Sequence, residues 1–497
     1  MKNKFKKILS VSMLVVLLTI VTRVLGFLRE IIIAYKYGTS ITVDNYVAAQ
    51  TIGELIGNVI IVGALSTYVI LFLNDKGTVY LKRIFIFALI FSLFLSGVIF
   101  INSKVIAQFL VINSTYLDVD VISNYILLLS PTIVLLGLAS VLNSYLQFKG
   151  KFLQPILSII FMNGIFIFSL LLLDSMSFFN KDNILPYSYL LSIIAYFLYS
   201  FMVTLITFYT NDLNQKEEKF EYASMMLILI EFFPILITTA INRLTLITDR
   251  IFAGGGQSGE LAAFNYATKL INLPIAIIGT SLVNIMFVNF IKTKVEKGKL
   301  GSEYVRLLLI IGLIVTIFMC TFSELIVKNV YGYGEFSDES VKRTAVILQF
   351  LSLTIPLQFI MQFYLKATYG FLSNKEILKI NLIGIICNII LNVIFITLIG
   401  IYGVAISTFL SLLIQIIMYS KCKLEDIVYS PKLLRTTLFL IILLFIGGFL
   451  KVIFTESLVS LILAFSLYSV GVLIIDKLLK LNTFKKVVEL NETKFGN

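Results

Sequence analysis

ILSVSMLVVLLTIVTRVLGFLREIIIA, residues 8–34, is an unbroken apolar run that nevertheless carries Arg23, Arg29 and Glu30. A hydrocarbon core about 30 Å thick is crossed by ~20 apolar residues in a helix, and lipid leaves a lone segment no other way to satisfy its backbone. The run is therefore predicted to be a membrane helix. Its basic start, MKNKFKK, resembles that of a signal peptide, but no small-x-small cleavage site follows and the apolar pattern continues to Ala34, so it is read as the first span. A cation at the bilayer centre costs roughly 2.5–3.5 kcal/mol on insertion scales and persists where it faces a partner or a watery cavity. Arg243, Arg250, Lys269 and Lys366 repeat the pattern in later runs. Together the six cations point to an anion-handling cavity within the membrane.

Working outward, the whole chain has the same character. It is 59% hydrophobic and 14% charged, with a mean hydropathy of +0.98, which excludes an ordinary soluble domain. Apolar runs between polar breaks give fourteen spans, near 8–34, 45–73, 84–103, 121–147, 153–173, 186–209, 223–252, 261–291, 303–327, 344–371, 377–399, 401–420, 433–453 and 457–475. The expected fold is an all-α polytopic membrane protein. With the N-terminus inside, only Lys36, Lys104, Lys181, Lys328, Lys342, Arg343 and Lys451 fall in the outer breaks, while the inner loops and both tails hold the bulk of the Lys and Arg. That asymmetry predicts cytoplasmic N- and C-termini. The same rule, with attraction to anionic lipid headgroups, accounts for the net charge of +12 without any nucleic acid.

Cys320, Cys387 and Cys422 show no metal spacing, and an odd count argues against a disulfide framework. The chain has no His, which removes the commonest general base and proton relay, and no Trp, which leaves Tyr and Phe to form the interfacial belts. No break is long enough for a soluble catalytic domain, so an enzyme is not expected.

A faint internal repeat offsets the chain by six spans: YLQFKGKFLQP before Asn163 echoes YGFLSNKEILK before Asn388, and DNYVAAQTI echoes FNYATKLIN. An even number of spans preserves orientation, so the halves would be related by a pseudo-two-fold axis along the membrane normal, with the site between them. This predicts an N-terminal lobe over 1–210, a C-terminal lobe over 211–420, and two extra helices with a basic tail over 421–497.

The polar groups inside the spans follow. Asn265, Lys269 and Asn272 share one helical face, and Pro274 follows, where a missing backbone donor would allow a bend. Such a stripe lines a cavity or glues helices together. Arg23 and Glu30, seven apart, share a face, whereas Arg29 points away unless Gly26 loosens the turn. Arg29 is either part of a guanidinium pair for phosphate oxygens, with Glu30 holding one arginine, or a side chain snorkelling to the outer interface. In the seventh span Asn242, Arg243, Asp249 and Arg250 could neutralise one another. Alternatively Asp249, the amides of Asn388 and Asn392 and the Thr408 hydroxyl make a hard-oxygen set suited to Na⁺.

TRVLGFLREIIIAYKYG and VDNYVAA, then ITDRIFAGG, FNYATKLINLPIAIIGTSL, VYGYGEFS and NLIGIICNIILNVIFITLIGIYGVAISTFLSLL, resemble in order and spacing the lipid II flippases of the MurJ (MviN) family. The likeness runs from about residue 10 to 420 and places the chain among flippases and exporters with two six-helix lobes. It implies carriage of a polyprenyl-pyrophosphate-linked glycan, most simply lipid II for peptidoglycan synthesis, to the outer leaflet of a bacterial cytoplasmic membrane by alternating access. It also implies a cavity set of Arg23, Arg29, Glu30, Asp44, Asn163, Asn265, Lys269 and Asn272. A sodium site at Asp249, Asn388, Asn392, the Val404 backbone and Thr408 is implied too, with Na⁺ as the candidate coupling ion and no other cofactor. The implied partners are the lipid-linked substrate and membrane lipids, with cell-wall synthesis enzymes as candidates; the chain is expected to be a monomer.

Departures from the family pattern are concentrated in the cavity. Gly57, Asn58 and Val62 stand where the family has an Arg pair and a Glu, Thr268-Lys269 replaces an acid-arginine pair, and Asn272 and Asn392 replace acids. A lysine keeps the charge but loses the bidentate fork. A capsule or exopolysaccharide repeat unit is therefore an alternative cargo. A cation-coupled drug exporter would want an acidic or aromatic cavity, and a membrane glycan polymerase a sizeable outward loop; neither fits.

Overall fold

Apolar runs in lipid become helices because each backbone group must be bonded within its own segment. The computed structural model describes residues 2–76, 80–176, 180–211, 222–241, 244–292, 297–368, 374–421, 433–453 and 457–478, and no strand occurs among them. In chain order the helices begin with α1 (Lys2–Tyr37), α2 (Ile41–Gly53), α3 (Ala64–Lys76), α4 (Leu81–Ile101), α5 (Ser103–Leu110), α6 (Val119–Phe148), α7 (Leu153–Ser175) and α8 (Ile184–Asn211). Next come α9 (Tyr222–Ile241), α10 (Leu244–Ala253), α11 (Glu260–Pro274), α12 (Thr280–Lys292), α13 (Lys297–Thr321) and α14 (Ser323–Tyr331). The last are α15 (Asp338–Ser352), α16 (Ile355–Thr368), α17 (Asn374–Ile399), α18 (Tyr402–Lys421), α19 (Leu433–Ile453) and α20 (Leu458–Leu478).

Local chemistry sets several boundaries. The Asp118 carboxylate caps α6 by accepting from the backbone N–H groups of Asp120 at 2.8 Å and Val121 at 3.2 Å, and Ser337 Oγ caps α15 by accepting from Ser340 N. Two predicted spans are not continuous α-helices. A π-helical segment, Glu54–Gly63, joins α2 to α3, and another, Ile275–Gly279, follows Pro274 and joins α11 to α12. The second lies where proline was predicted to allow a bend. Gly57 in the first lies against α6: a Cβ there would stand 2.6 Å from the end of the Leu136 side chain, which would have to shift.

Where the residues are described, all fourteen apolar runs fall mainly on helix, but fourteen full spans are not counted. Among the described residues nine helices are long and apolar enough to cross a membrane, and the pair Asp338–Ser352 and Ile355–Ala367, bent by 44°, makes ten. Ala64–Asn74 of α3 is apolar but shorter, because the π-helical segment Glu54–Gly63 divides the run 45–73 that hydropathy alone reads as continuous. Large apolar side chains such as Phe94, Ile390, Phe445 and Val452 stand exposed along these helices, as lipid-facing residues do.

By contacts the chain divides into two units: Met1–Ile33 with Ser40–Ser258, and Ala34–Thr39 with Gly259–Asn497. This cut differs from the repeat-based one, because α9 and α10 belong with the first unit; there the Tyr68 hydroxyl of α3 donates to Glu231 of α9 at 3.2 Å. The core of the first unit is built on α6, with Leu129, Ile133 and Leu136 buried, and on the aromatic cluster of Tyr68, Phe87 and Phe232. The core of the second centres on Leu348, Phe359, Phe363 and Tyr364. The end of α1 and the turn after it, Ala34–Thr39, are locked within the second unit: Gly38, at φ +54°, offers its carbonyl to the Tyr266 hydroxyl at 3.1 Å, and Tyr35 O accepts from Glu335 N at 2.9 Å.

Candidate functional site

In the first unit, α1 carries Arg29 inward. Arg29 Nη2 donates to Glu30 Oε1 at 2.7 Å, the two side chains being 12% and 7% exposed, and the guanidinium lies 5.1 Å from the centre of the Phe166 ring. That burial decides between the two sequence readings: Arg29 does not snorkel to an interface. Its Nε is buried with no hydrogen-bond partner among the described residues, so the fork keeps donor capacity. The carboxylate of Glu54 also acts on the Arg29 charge through space. Arg23, two turns earlier, is exposed and has no ion-pair partner among the described residues. The structure therefore does not bring the two α1 arginines into one equivalent environment.

Asn163 of α7 is buried beside Gly26, where a Cβ would lie 3.8 Å from its Oδ1, and its Nδ2 donates to Ile159 O at 3.1 Å. Asp44 is fully buried in the first turn of α2, where a carboxylate also favours the helix N-terminus. Arg250 of α10 does not rely on its helical neighbours. Its Nη1 donates to Glu54 Oε2 at 2.9 Å and to Thr51 Oγ1 at 3.3 Å, with the Arg250 and Glu54 side chains 16% and 25% exposed. Asp249 beside it is buried; Asn242 and Arg243 lie outside the described residues.

Glu54 is the residue that sequence reasoning missed. The signal was present, since an acid within the apolar run 45–73 is costly enough in lipid to mark a functional position by default. Its partner could not be named from sequence, because the two lie far apart along the chain.

The second unit holds neutral polar groups and lysines. Along α11, Asn265 is buried, Lys269 half-buried and Asn272 exposed, so the predicted stripe grades from the core to the surface. Thr268 Oγ1 is occupied by its own helix, donating to Phe264 O at 2.7 Å. Lys366 of α16 donates to Asn284 Oδ1 of α12. On α17, Asn388 and Asn392 are fully buried, and Asn392 Nδ2 donates to Asn388 Oδ1 at 3.1 Å. On α18, which packs against α17, Thr408 Oγ1 donates to the carbonyl of Val404 at 2.9 Å. Four of the five residues of the sodium set thus stand on adjacent helices of one unit, and Asp249 belongs to the other. No cluster of three or more His, Cys, Asp or Glu suited to a metal occurs among the described residues.

The family model described as MurJ, lipid II flippase MurJ, matches residues 33–472. The probable lipid II flippase MurJ of Buchnera aphidicola subsp. Acyrthosiphon pisum (strain APS) is 24% identical over 475 residues, 89% of this chain and 90% of the relative. A solved structure of lipid II flippase MurJ in an inward closed conformation matches with a TM-score of 0.79 at 19% identity, covering 94% of this chain and 98% of that one. An inward-facing multidrug resistance MATE family transporter of the MOP superfamily matches with a TM-score of 0.64 at 15% identity, covering 82% and 95%. At such identities these two structures speak to the fold alone, which is the all-helical, polytopic one expected from the apolar pattern.

Proposed function

The chain belongs to the lipid II flippase MurJ family, and from that premise we propose that it moves lipid II from the inner to the outer leaflet of the bacterial cytoplasmic membrane by alternating access. The family match across residues 33–472 carries this reading. The relatives are named for lipid II, which does not favour a capsule or exopolysaccharide cargo. The activity is transport rather than catalysis, and the protein is a multi-pass membrane protein with both termini on the cytoplasmic side. Its partners are the polyprenyl-pyrophosphate-linked substrate, the surrounding lipid and, by the same logic, the enzymes that make and polymerise that substrate.

The chemistry of the buried Arg29 supports the reading. A guanidinium held in a low-dielectric site binds a pyrophosphate through charge-assisted hydrogen bonds worth about 1.5–3 kcal/mol each. Glu30 keeps Arg29 neutralised when no ligand is present, which lowers the cost of returning empty. A ligand shifts an equilibrium between inward and outward states only by its differential affinity for them, so the arginine must be reachable in the loading state and released on delivery. Asn163 packs against α1 at Gly26, Asp44 is the family-implied acid of α2, and Lys269 with Asn265 and Asn272 supplies a polar stripe in the other unit.

Sodium is the candidate coupling ion. Asn388, Asn392, the Val404 carbonyl and Thr408 supply neutral oxygens, and Asp249 would supply the charge. The fit is chemically reasonable, because a carbonyl or amide oxygen that accepts one hydrogen bond keeps a second lone pair for a cation.

Rescue of a bacterial strain depleted of its only lipid II flippase, at matched membrane levels, tests the proposal. Growth is the expected result; failure with normal membrane insertion overturns lipid II as the cargo.

A further inference from the structure

The first unit has a second guanidinium with an acidic partner, and neither residue stands at a position of the cavity set. Glu54 opens the π-helical segment Glu54–Gly63, a departure from α-helix that is frequent at functional sites. Its carboxylate is bonded to Arg250 at 2.9 Å and acts through space on Arg29. The local inventory is therefore Arg29, Glu30, Glu54 and Arg250, with the buried Asp249 next to Arg250 in sequence. The two arginines are each matched by a glutamate. The segment containing Glu54 is also the one where Gly57 and Asn58 stand in place of basic residues. An anion site that has lost cations on one helix needs a replacement from another, and Arg250 of α10 is a guanidinium tied to that same segment.

We propose that Arg250 is an anion-binding residue of the substrate site, masked by Glu54 until the diphosphate of the ligand displaces that carboxylate. The inference rests on the reading of the cargo as pyrophosphate-linked. The exchange replaces one charge-assisted bond by another, so Arg250 is never left buried without a counter-charge. The released Glu54 carboxylate is repelled by the incoming diphosphate, which couples ligand entry to movement of the π-helical segment. A salt bridge with a purely structural role predicts the opposite behaviour, since removing either partner would only weaken the protein.

The test is equilibrium binding of radiolabelled polyprenyl diphosphate to the purified full-length protein in detergent micelles, with the neutral polyprenol as control and gel filtration to verify each variant. The wild type is expected to prefer the diphosphate. Glu54→Gln should tighten diphosphate binding about 3- to 10-fold by unmasking Arg250, Arg250→Gln should weaken it about tenfold, and the double variant should bind as Arg250→Gln does. Arg250→Lys keeps the charge but not the fork and should fall between, which preserves the test if Arg250→Gln does not fold. Unchanged or weaker binding by Glu54→Gln overturns the inference, as does an equal tightening in the Arg250→Gln background. A wild type that binds diphosphate no better than polyprenol removes the pyrophosphate reading itself, and this inference with it.

Discussion

The two units solve the same problem, polar chemistry in an apolar solvent, in different ways. The first buries charges and pairs them, Arg29 with Glu30 and Arg250 with Glu54. The second buries mainly neutral groups, with Asn392 bonded to Asn388 and Thr408 bonded to the Val404 carbonyl, and leaves Lys269 half-buried. The difference is energetic as well as chemical. A buried ion pair that loses one member leaves an uncompensated charge, at a cost of about 3–5 kcal/mol. A neutral hydrogen bond within one helix contributes a net of only about 0.5–1.5 kcal/mol. The first unit is therefore suited to gripping and releasing a multiply charged headgroup, and the second to small changes in the occupancy of neutral oxygens.

The largest effect should follow from breaking the first unit's grip. Arg29→Ala should lower lipid II transport by about 100-fold or more, since two charge-assisted bonds of roughly 1.5–3 kcal/mol are lost together. Arg23→Ala, at an exposed position, should lower it only a few-fold, and the same transport assay at matched protein level ranks the two. Gly38→Ala touches neither chemistry. It forces a Cβ to within 2.3 Å of the Glu335 carbonyl oxygen at φ +54°, so the protein should lose about 1–3 kcal/mol of stability, read as a lower melting temperature in detergent. Its preference for diphosphate over polyprenol should be unchanged.

Asn392→Ala should cost less, about 0.5–1.5 kcal/mol, and it also sharpens the sodium reading. Ion binding to the folded state raises apparent stability. The wild type should therefore melt higher in NaCl than in KCl of equal ionic strength, and the variant should show a smaller difference. Equal melting of the wild type in both salts contradicts the sodium set. The smallest effect belongs to Lys269→Arg. Adding a fork to a half-buried point charge should change diphosphate affinity by only a few-fold, measured in the same binding assay.

Much of this comparison was legible in the sequence. Residues 8–34 and the runs that became α4, α6, α7, α8, α17 and α18 announced themselves by unbroken hydropathy, because lipid permits one backbone solution. Asn388 and Asn392 were legible as oxygen donors by their i, i+4 spacing and Thr408 as a hydroxyl in the next span, whereas the Val404 carbonyl entered only through the family resemblance. The π-helical segments were not legible, since they preserve composition while changing register. Nor was the grouping of 222–253 with the first unit, which depends on packing such as that of Glu231 against Tyr68 rather than on any repeat. The pairing of Glu54 with Arg250 was hidden for a further reason: Asp249, adjacent to Arg250 in sequence, offered an obvious neutralising group on the same helix.

The most direct test of the central claim is the fraction of labelled lipid II on the outer face of flippase-depleted cells, read with a membrane-impermeant enzyme that degrades it. Cells expressing the wild-type chain should expose lipid II to the enzyme, while cells with Arg29→Ala at equal membrane level should keep it inside. Full exposure with Arg29→Ala would contradict the role of the buried guanidinium, and no exposure with the wild type would contradict lipid II transport altogether.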